Sequence, residues 1–122
     1  MTPKFRDPQA SPLPSPVATP ADARKLAGDM PDIMNALLAV VERETELVRA
    51  GKIREGMALG SRKTELSRRY ADAIRQFKAS QAYMMQSTPD LLTALQHHHE
   101  TFRAMLQVNL TVLATAHAVS EG

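Results

Sequence analysis

The sequence predicts an all-α fold: an elongated antiparallel helical hairpin or three-helix bundle behind a disordered, proline-rich N-terminal tail. Apolar residues recur every three or four positions from about residue 31 onward, and no period-two strand pattern occurs. Six of the eight prolines fall in the first twenty residues, where they prevent a helix. We therefore expect a tail over residues 1–20 and one helical domain over residues 21–122.

The first long helix is predicted from about Pro31 to Ala50, after a short helical turn within residues 21–30. Pro31 suits a first helical turn because that position leaves the backbone N–H unpaired, and Asp32 adds a favourable charge there. Gly51 suits the position just after the helix, where the backbone often turns left-handed.

The second helix is predicted from about residue 52 to residue 85. Gly56 and Gly60 each weaken its beginning by about 1 kcal/mol relative to alanine. We therefore expect a looser start and regular helix from Ser61.

The third helix is predicted to begin at Pro89, with Ser87 or Thr88 as its N-cap, and to run towards the C-terminus. One heptad-like stripe is expected to lie in the seam of the hairpin: Leu95, His98, Phe102, Met105, Asn109, Val112, Ala116 and Val119. A second apolar stripe lies beside it: Leu92, His99, Leu106, Leu110 and Leu113.

This third helix has little charge for a surface helix. Between Leu91 and Val119 the only formally charged residues are Glu100 and Arg103. Two other helices in a domain this small can cover about one face, so a partner or a second copy should cover the rest. The alternative is that the helix is simply central in a compact bundle.

The charge is unevenly distributed along the chain. Residues 52–78 carry eight cations and three carboxylates, a sum of +5, whereas the whole chain is +2. Aromatic residues make up 4 % and tryptophan is absent, which is poor material for base stacking, so we expect no nucleic-acid binding. The basic face of the second helix is a solvated surface or steers an acidic partner.

Several features favour a cytoplasmic protein. The chain has no cysteine, and its N-terminus lacks the apolar segment of a signal peptide. Its most apolar stretch, residues 104–119, is interrupted by polar side chains such as Gln107 and Thr111, so we expect no membrane insertion.

No residue pattern predicts catalysis, a cofactor or a metal ion. His97, His98 and His99 are consecutive, so on a helix they point about 100° apart, and no histidine or carboxylate follows any of them at +4. Motifs for nucleophilic or phosphate chemistry are absent from the sequence. The sequence therefore predicts a binding protein and not an enzyme.

Two segments carry a family resemblance. The first reads Glu42-Arg43-Glu44-Thr45-Glu46-Leu47-Val48-Arg49-Ala50-Gly51 and is followed by Leu59, Lys63 and Leu66; the second is Asn109-Leu110-Thr111-Val112-Leu113-Ala114-Thr115-Ala116. Over roughly residues 30–120 the chain resembles the FlgN family of flagellar export chaperones.

The resemblance implies a cytoplasmic helical protein with two kinds of partner. These are the flagellar hook–filament junction proteins, held unaggregated by their helical ends, and the type III export apparatus that receives them. It also implies that Leu106, Asn109, Leu110 and Leu113 grip this cargo, and Leu92 joins them as a member of the same stripe. Asn109 either fixes the register of the helices or hydrogen-bonds the bound segment.

Two other functions stay open. A self-associating adaptor or structural protein, for instance a homodimer, would cover the third helix with its own copy. A small helical enzyme similar to chorismate mutases would need Arg43, Arg49, Lys52 and Arg62 to converge on a dicarboxylate. Gly51 and the nearly uncharged third helix argue against the enzyme.

Overall fold

The computed structural model describes residues 15–121, apart from the side chains of residues 117 and 119–121. Within these residues no strand occurs, and the helices are α1 (Pro20–Arg49), α2 (Ile53–Met57), α3 (Gly60–Ser87) and α4 (Pro89–Glu121). The helix α1 packs along both α3 and α4, whereas α3 and α4 contact each other less extensively. The predicted all-α class is confirmed, and its architecture is a three-helix bundle.

The first helix is longer than predicted. It begins at Pro20, where the Thr19 hydroxyl accepts a hydrogen bond from the Asp22 N–H at 3.1 Å, and it continues through Pro31 to Arg49. The predicted start at residue 31 is therefore wrong. A proline inside a helix costs about 3 kcal/mol, and apolar burial on both sides of it offsets that cost: Ala23, Leu26, Met30, Met34 and Leu37 are all buried.

The end of α1 follows the prediction. Gly51 has a φ of 78°, a backbone conformation that favours glycine. Its N–H donates to the Val48 carbonyl at 3.0 Å, and the Lys52 N–H donates to the Leu47 carbonyl at 2.8 Å. These two bonds satisfy carbonyl groups that the helix end would otherwise leave unpaired.

The predicted second helix is divided. The short helix α2 has only five residues. Ala58 and Leu59 separate it from α3, in which regular helix starts at Gly60. The looser start expected at the two glycines is thus confirmed, while one continuous helix from residue 52 is not observed.

The fourth helix begins at Pro89, as predicted. The Leu92 N–H donates to the Thr88 carbonyl at 3.1 Å, so Thr88 holds the N-cap position. Its hydroxyl does not act as a cap, because the oxygen is buried without a hydrogen-bond partner among the described residues.

Residues 15–19 form an extended strap along α3. Val17 is buried in the core, and its N–H donates to the buried Ser80 hydroxyl at 2.8 Å. The Gln76 side-chain amide donates to the Ser15 carbonyl at 2.9 Å. The predicted disorder is therefore wrong for residues 15–19, which Val17 and two hydrogen bonds hold against α3. The rest of the predicted tail, residues 1–14, lies outside the described residues.

The core runs along α1, with a few large side chains that are almost completely buried: Phe77, Met30, Leu66, Met84, Leu95 and Val41. One ion pair joins α1 to α3 beside it. The Lys63 ammonium contacts both carboxylate oxygens of the buried Glu44, at 2.8 and 3.1 Å. This ion pair fixes the antiparallel register of the two helices near the end of α1.

Candidate functional site

The seam of α4 combines both predicted stripes. Four of its side chains are buried and four are half-buried between them. The buried ones are Leu92, Leu95, Phe102 and Leu113, and the half-buried ones are His99, Leu106, Asn109 and Ala116. Their spacing alternates steps of three and four, which is the expected heptad spacing in another register. His98 and Met105, predicted for the seam, are exposed, and the side chain of Val119 lies outside the described residues.

The five residues predicted to bind a partner are therefore placed differently from one another. Leu92 and Leu113 belong to the hydrophobic core and cannot reach a partner unless the bundle opens. Leu106 and Asn109 are half-buried, and Leu110 is 43 % exposed. The prediction is wrong in treating Leu92 and Leu113 as free surface, because the helices of the same chain already cover them.

Two further apolar side chains are exposed on α4. The sequence placed Met105 in the helix seam and assigned Val108 to neither stripe. Met105 is 43 % exposed and Val108 is 64 % exposed, beside the half-buried Val112. We use the name α4 apolar surface for these residues together with Leu106 and Leu110. The absence of charge in this part of the sequence was the signal that could have pointed to Val108.

The α4 apolar surface has two sides. Met105 lines a depression of about 70 Å³ together with Asn35 and Leu38 of α1, and Val108 and Val112 follow on the same helix face. Leu110 lies two positions beyond Val108 and therefore about 200° around the helix. The Met105 side borders α1. Leu110 lies eleven positions beyond His99, which contacts Tyr70 of α3, and therefore about 20° from it around the helix, on the α3 side.

Three polar side chains of this segment donate hydrogen bonds to backbone carbonyl groups of α4 itself, each four residues earlier in the sequence. The Asn109 amide donates to the Met105 carbonyl at 3.0 Å. The Thr111 hydroxyl donates to the Gln107 carbonyl at 2.9 Å, and the Thr115 hydroxyl donates to the Thr111 carbonyl at 3.0 Å. Hydroxyl donors bonded in this way need no water, so the segment is less polar than its sequence suggests.

The charge pattern separates this segment from the rest of the bundle surface. Residues 104–119 include no aspartate, glutamate, lysine or arginine, whereas α1 and α3 carry surface ion pairs such as Arg43 with Glu46 and Arg68 with Glu65. Even so, no helix within residues 15–121 is long and apolar enough to cross a membrane.

The preceding part of α4 is closed by an aromatic contact with α3. The Tyr70 hydroxyl lies 2.7 Å from His99 Nε2, and the Tyr70 and Phe102 ring centroids are 5.0 Å apart. Burial lowers the pKa of His99, and the nearby cations of Arg103 and Lys78 lower it further, against an opposing effect of Glu100. Burial also raises the pKa of the Tyr70 hydroxyl. His99, and not the predicted His98, therefore faces the helix seam.

The cations nominated for an enzyme site do not form a buried cluster. Arg43 is bound to Glu46 at 3.2 Å on the surface of α1, and Arg49, Lys52 and Arg62 are exposed. Stabilising a dicarboxylate requires cations that converge where water is excluded. The geometry of these side chains gives the enzyme alternative no support.

Comparisons with protein-family models, with curated proteins and with solved structures gave no match to this chain. The candidate site therefore depends on geometry: an exposed, uncharged apolar surface on one half of one helix.

Proposed function

We propose that this chain binds an amphipathic helix of a partner protein along the α4 apolar surface. The bound helix would lie beside α1, with its apolar face against Met105, Val108 and Val112. Burial of apolar area would drive the binding, in the manner of other helix-in-groove complexes.

The observation that supports this proposal most is the combination of exposure and missing charge on the second half of α4. Single exposed apolar side chains are common, but a monomeric protein seldom exposes a contiguous apolar patch unless another molecule covers it. Met105, Val108 and Val112 are neighbours on one helix face and have no charged residue between them. The resemblance to flagellar export chaperones supplies the candidate partner. In this proposal the protein is cytoplasmic, holds the helical end of hook–filament junction proteins unaggregated, and passes them to the type III export apparatus.

Self-association is the second candidate function. A two-fold pair of α4 helices would bring identical surfaces together, and the absence of charge means that no like charges would meet. A homodimer and a cargo complex would compete for the same side chains. One set of variants therefore tests both functions.

The test compares Val108→Asp with the wild-type chain, using a peptide from the helical end of a hook–filament junction protein. Isothermal titration should show at least a tenfold loss of affinity, because the new carboxylate would lose its hydration in the interface. Met85→Asp is the matched control: Met85 is 65 % exposed at the other end of the bundle, and this variant should bind normally.

Two further measurements make the outcome decisive. Circular dichroism should show unchanged helicity in both variants, and Leu110→Asp should report whether the α3 side also contacts the peptide. Wild-type affinity in Val108→Asp would contradict the proposal. A sedimentation experiment that finds a dimer disrupted by Val108→Asp, in a chain that binds no peptide, would assign the surface to self-association.

A further inference from the structure

The end of the bundle at which α1 turns back into α3 carries unpaired positive charge. We call residues 49–62 the α2 end. Its cations are Arg49, Lys52, Arg54 and Arg62, all exposed, and its only carboxylate is Glu55, which leaves a sum of +3. Within the part of the chain that the structure describes, no ion pair involves any of these five side chains. By contrast, Lys63, Arg68 and Arg75 of α3 each form an ion pair with a carboxylate.

Apolar side chains project among these cations. Ile53 is 37 % exposed and Met57 is 73 % exposed, one helical turn apart on the same face of α2. Gly56 holds α2 against α1, because a Cβ at this position would lie 3.3 Å from Val48 Cγ2 and 3.8 Å from Leu47 Cβ. The close packing at Gly56 thus fixes α2 in a position that leaves Met57 in solvent.

We infer that the α2 end docks onto an anionic lipid surface. Exposed apolar side chains within a segment rich in lysine and arginine match the interface of such a membrane: the apolar groups enter between the headgroups, and the cations attract the anionic headgroups. The long basic side chains can reach headgroups while their methylene stems stay in apolar surroundings. The α2 end is the chain reversal that joins α1 to α3, so its apolar side chains and its cations lie together at one end of the bundle.

This inference is independent of the α4 apolar surface, since the two regions share no residue. The docking would be peripheral, in agreement with the absence of a helix within residues 15–121 that could cross a bilayer. Such docking would bring the α4 apolar surface close to the membrane and would leave it accessible to a partner helix.

The experiment is co-sedimentation of the full chain with phosphatidylcholine vesicles, with and without phosphatidylglycerol. We expect binding only to the anionic vesicles, and weaker binding at high salt because the charges are exposed. Lys52→Gln and Arg54→Gln should each lower vesicle affinity about fivefold, the effect of one cation near the surface. Met57→Asp should lower it at least about tenfold, since it removes the apolar contact and adds a repelled charge.

Met85→Asp, at the opposite end of the bundle, is the control and should bind vesicles as the wild type does. Failure of the wild-type chain to bind anionic vesicles would overturn the inference, as would an equal loss of binding in Met85→Asp. Polyglutamate distinguishes a lipid surface from an acidic protein. If it displaces the vesicles while Met57→Asp binds them normally, the α2 end is a general polyanion site and the inference is wrong.

Discussion

From Pro89 to Phe102, α4 buries Leu92, Leu95 and Phe102 against the other helices, whereas from residue 103 to residue 116 only Leu113 is buried. Both halves have apolar residues at spacings of three and four, so the repeat alone does not separate them. The two halves differ in their charged residues. The first half has aspartate, glutamate and histidine on its outer face, whereas the second half has no charged residue after Arg103.

An apolar repeat therefore identifies a helix, whereas the distribution of charged residues around the helix indicates which of its faces another molecule could cover. The first half is a normal amphipathic segment, with a covered face and a solvated face. On the second half the covered face is similar, but exposed apolar side chains flank it on both sides, Met105 and Val108 on one and Leu110 on the other, where the first half carries charged or polar side chains. The candidate site is therefore confined to the second half of α4, residues 103–116.

The largest difference between the halves should appear in stability. Leu95→Ala removes a buried side chain from the first half and should lower the free energy of unfolding by about 2–5 kcal/mol. Val108→Ala changes an exposed side chain of the second half and should alter it by less than about 0.5 kcal/mol. Urea denaturation followed by circular dichroism measures both values. Equal losses in the two variants would show that Val108 is covered within the single chain, and the comparison would fail.

Much of the fold could be predicted because its boundaries depend on local chemistry. The end of α1 at Gly51 and the start of α4 at Pro89 depend only on the residue types at and next to these positions. The continuation of α1 through Pro31 could not be predicted in this way, because it depends on the burial of Met30 and Met34 against the other helices. The packed strap was missed as well, since Val17 is held by Ser80, a residue far away in the sequence.

The candidate site could be predicted only as a segment. The missing charge over residues 104–119 was visible in the sequence, but nearly every direction around this helix offers an apolar residue. Two heptad registers were therefore equally suited to the seam, and the packing of α1 and α3 selects between them. For this reason Leu113 proved to be core, while Met105, predicted for the seam, is exposed.

The Glu44–Lys63 ion pair, which joins α1 to α3, should contribute an intermediate amount to stability. Lys63→Ala leaves the buried Glu44 carboxylate without its partner and should cost about 1–3 kcal/mol of unfolding free energy, since Lys63 is partly exposed. Lys25→Ala is the matched control: it removes an exposed ion pair with Asp29, and should cost less than about 1 kcal/mol. If the two variants are equally stable, the Glu44–Lys63 ion pair contributes no more than a surface pair.

The smallest expected effect concerns His99, which closes the first half of α4 against Tyr70. Its pKa is lowered by burial and by Arg103, so near pH 6.5 the unfolded chain binds more protons at this residue than the folded chain. The contribution of His99 to stability is therefore complete above about pH 6.5 and declines as the pH falls towards the lowered pKa. Arg103→Gln removes one cause of the shift, and nuclear magnetic resonance titration should show the pKa of His99 moving upward in this variant. Because the same change brings the folded and unfolded pKa values of His99 closer, the loss of stability below about pH 6.5 should become smaller in Arg103→Gln. An unchanged or steeper loss would mean that the Arg103 charge does not contribute to the lowered pKa of His99, and that burial against Tyr70 accounts for it.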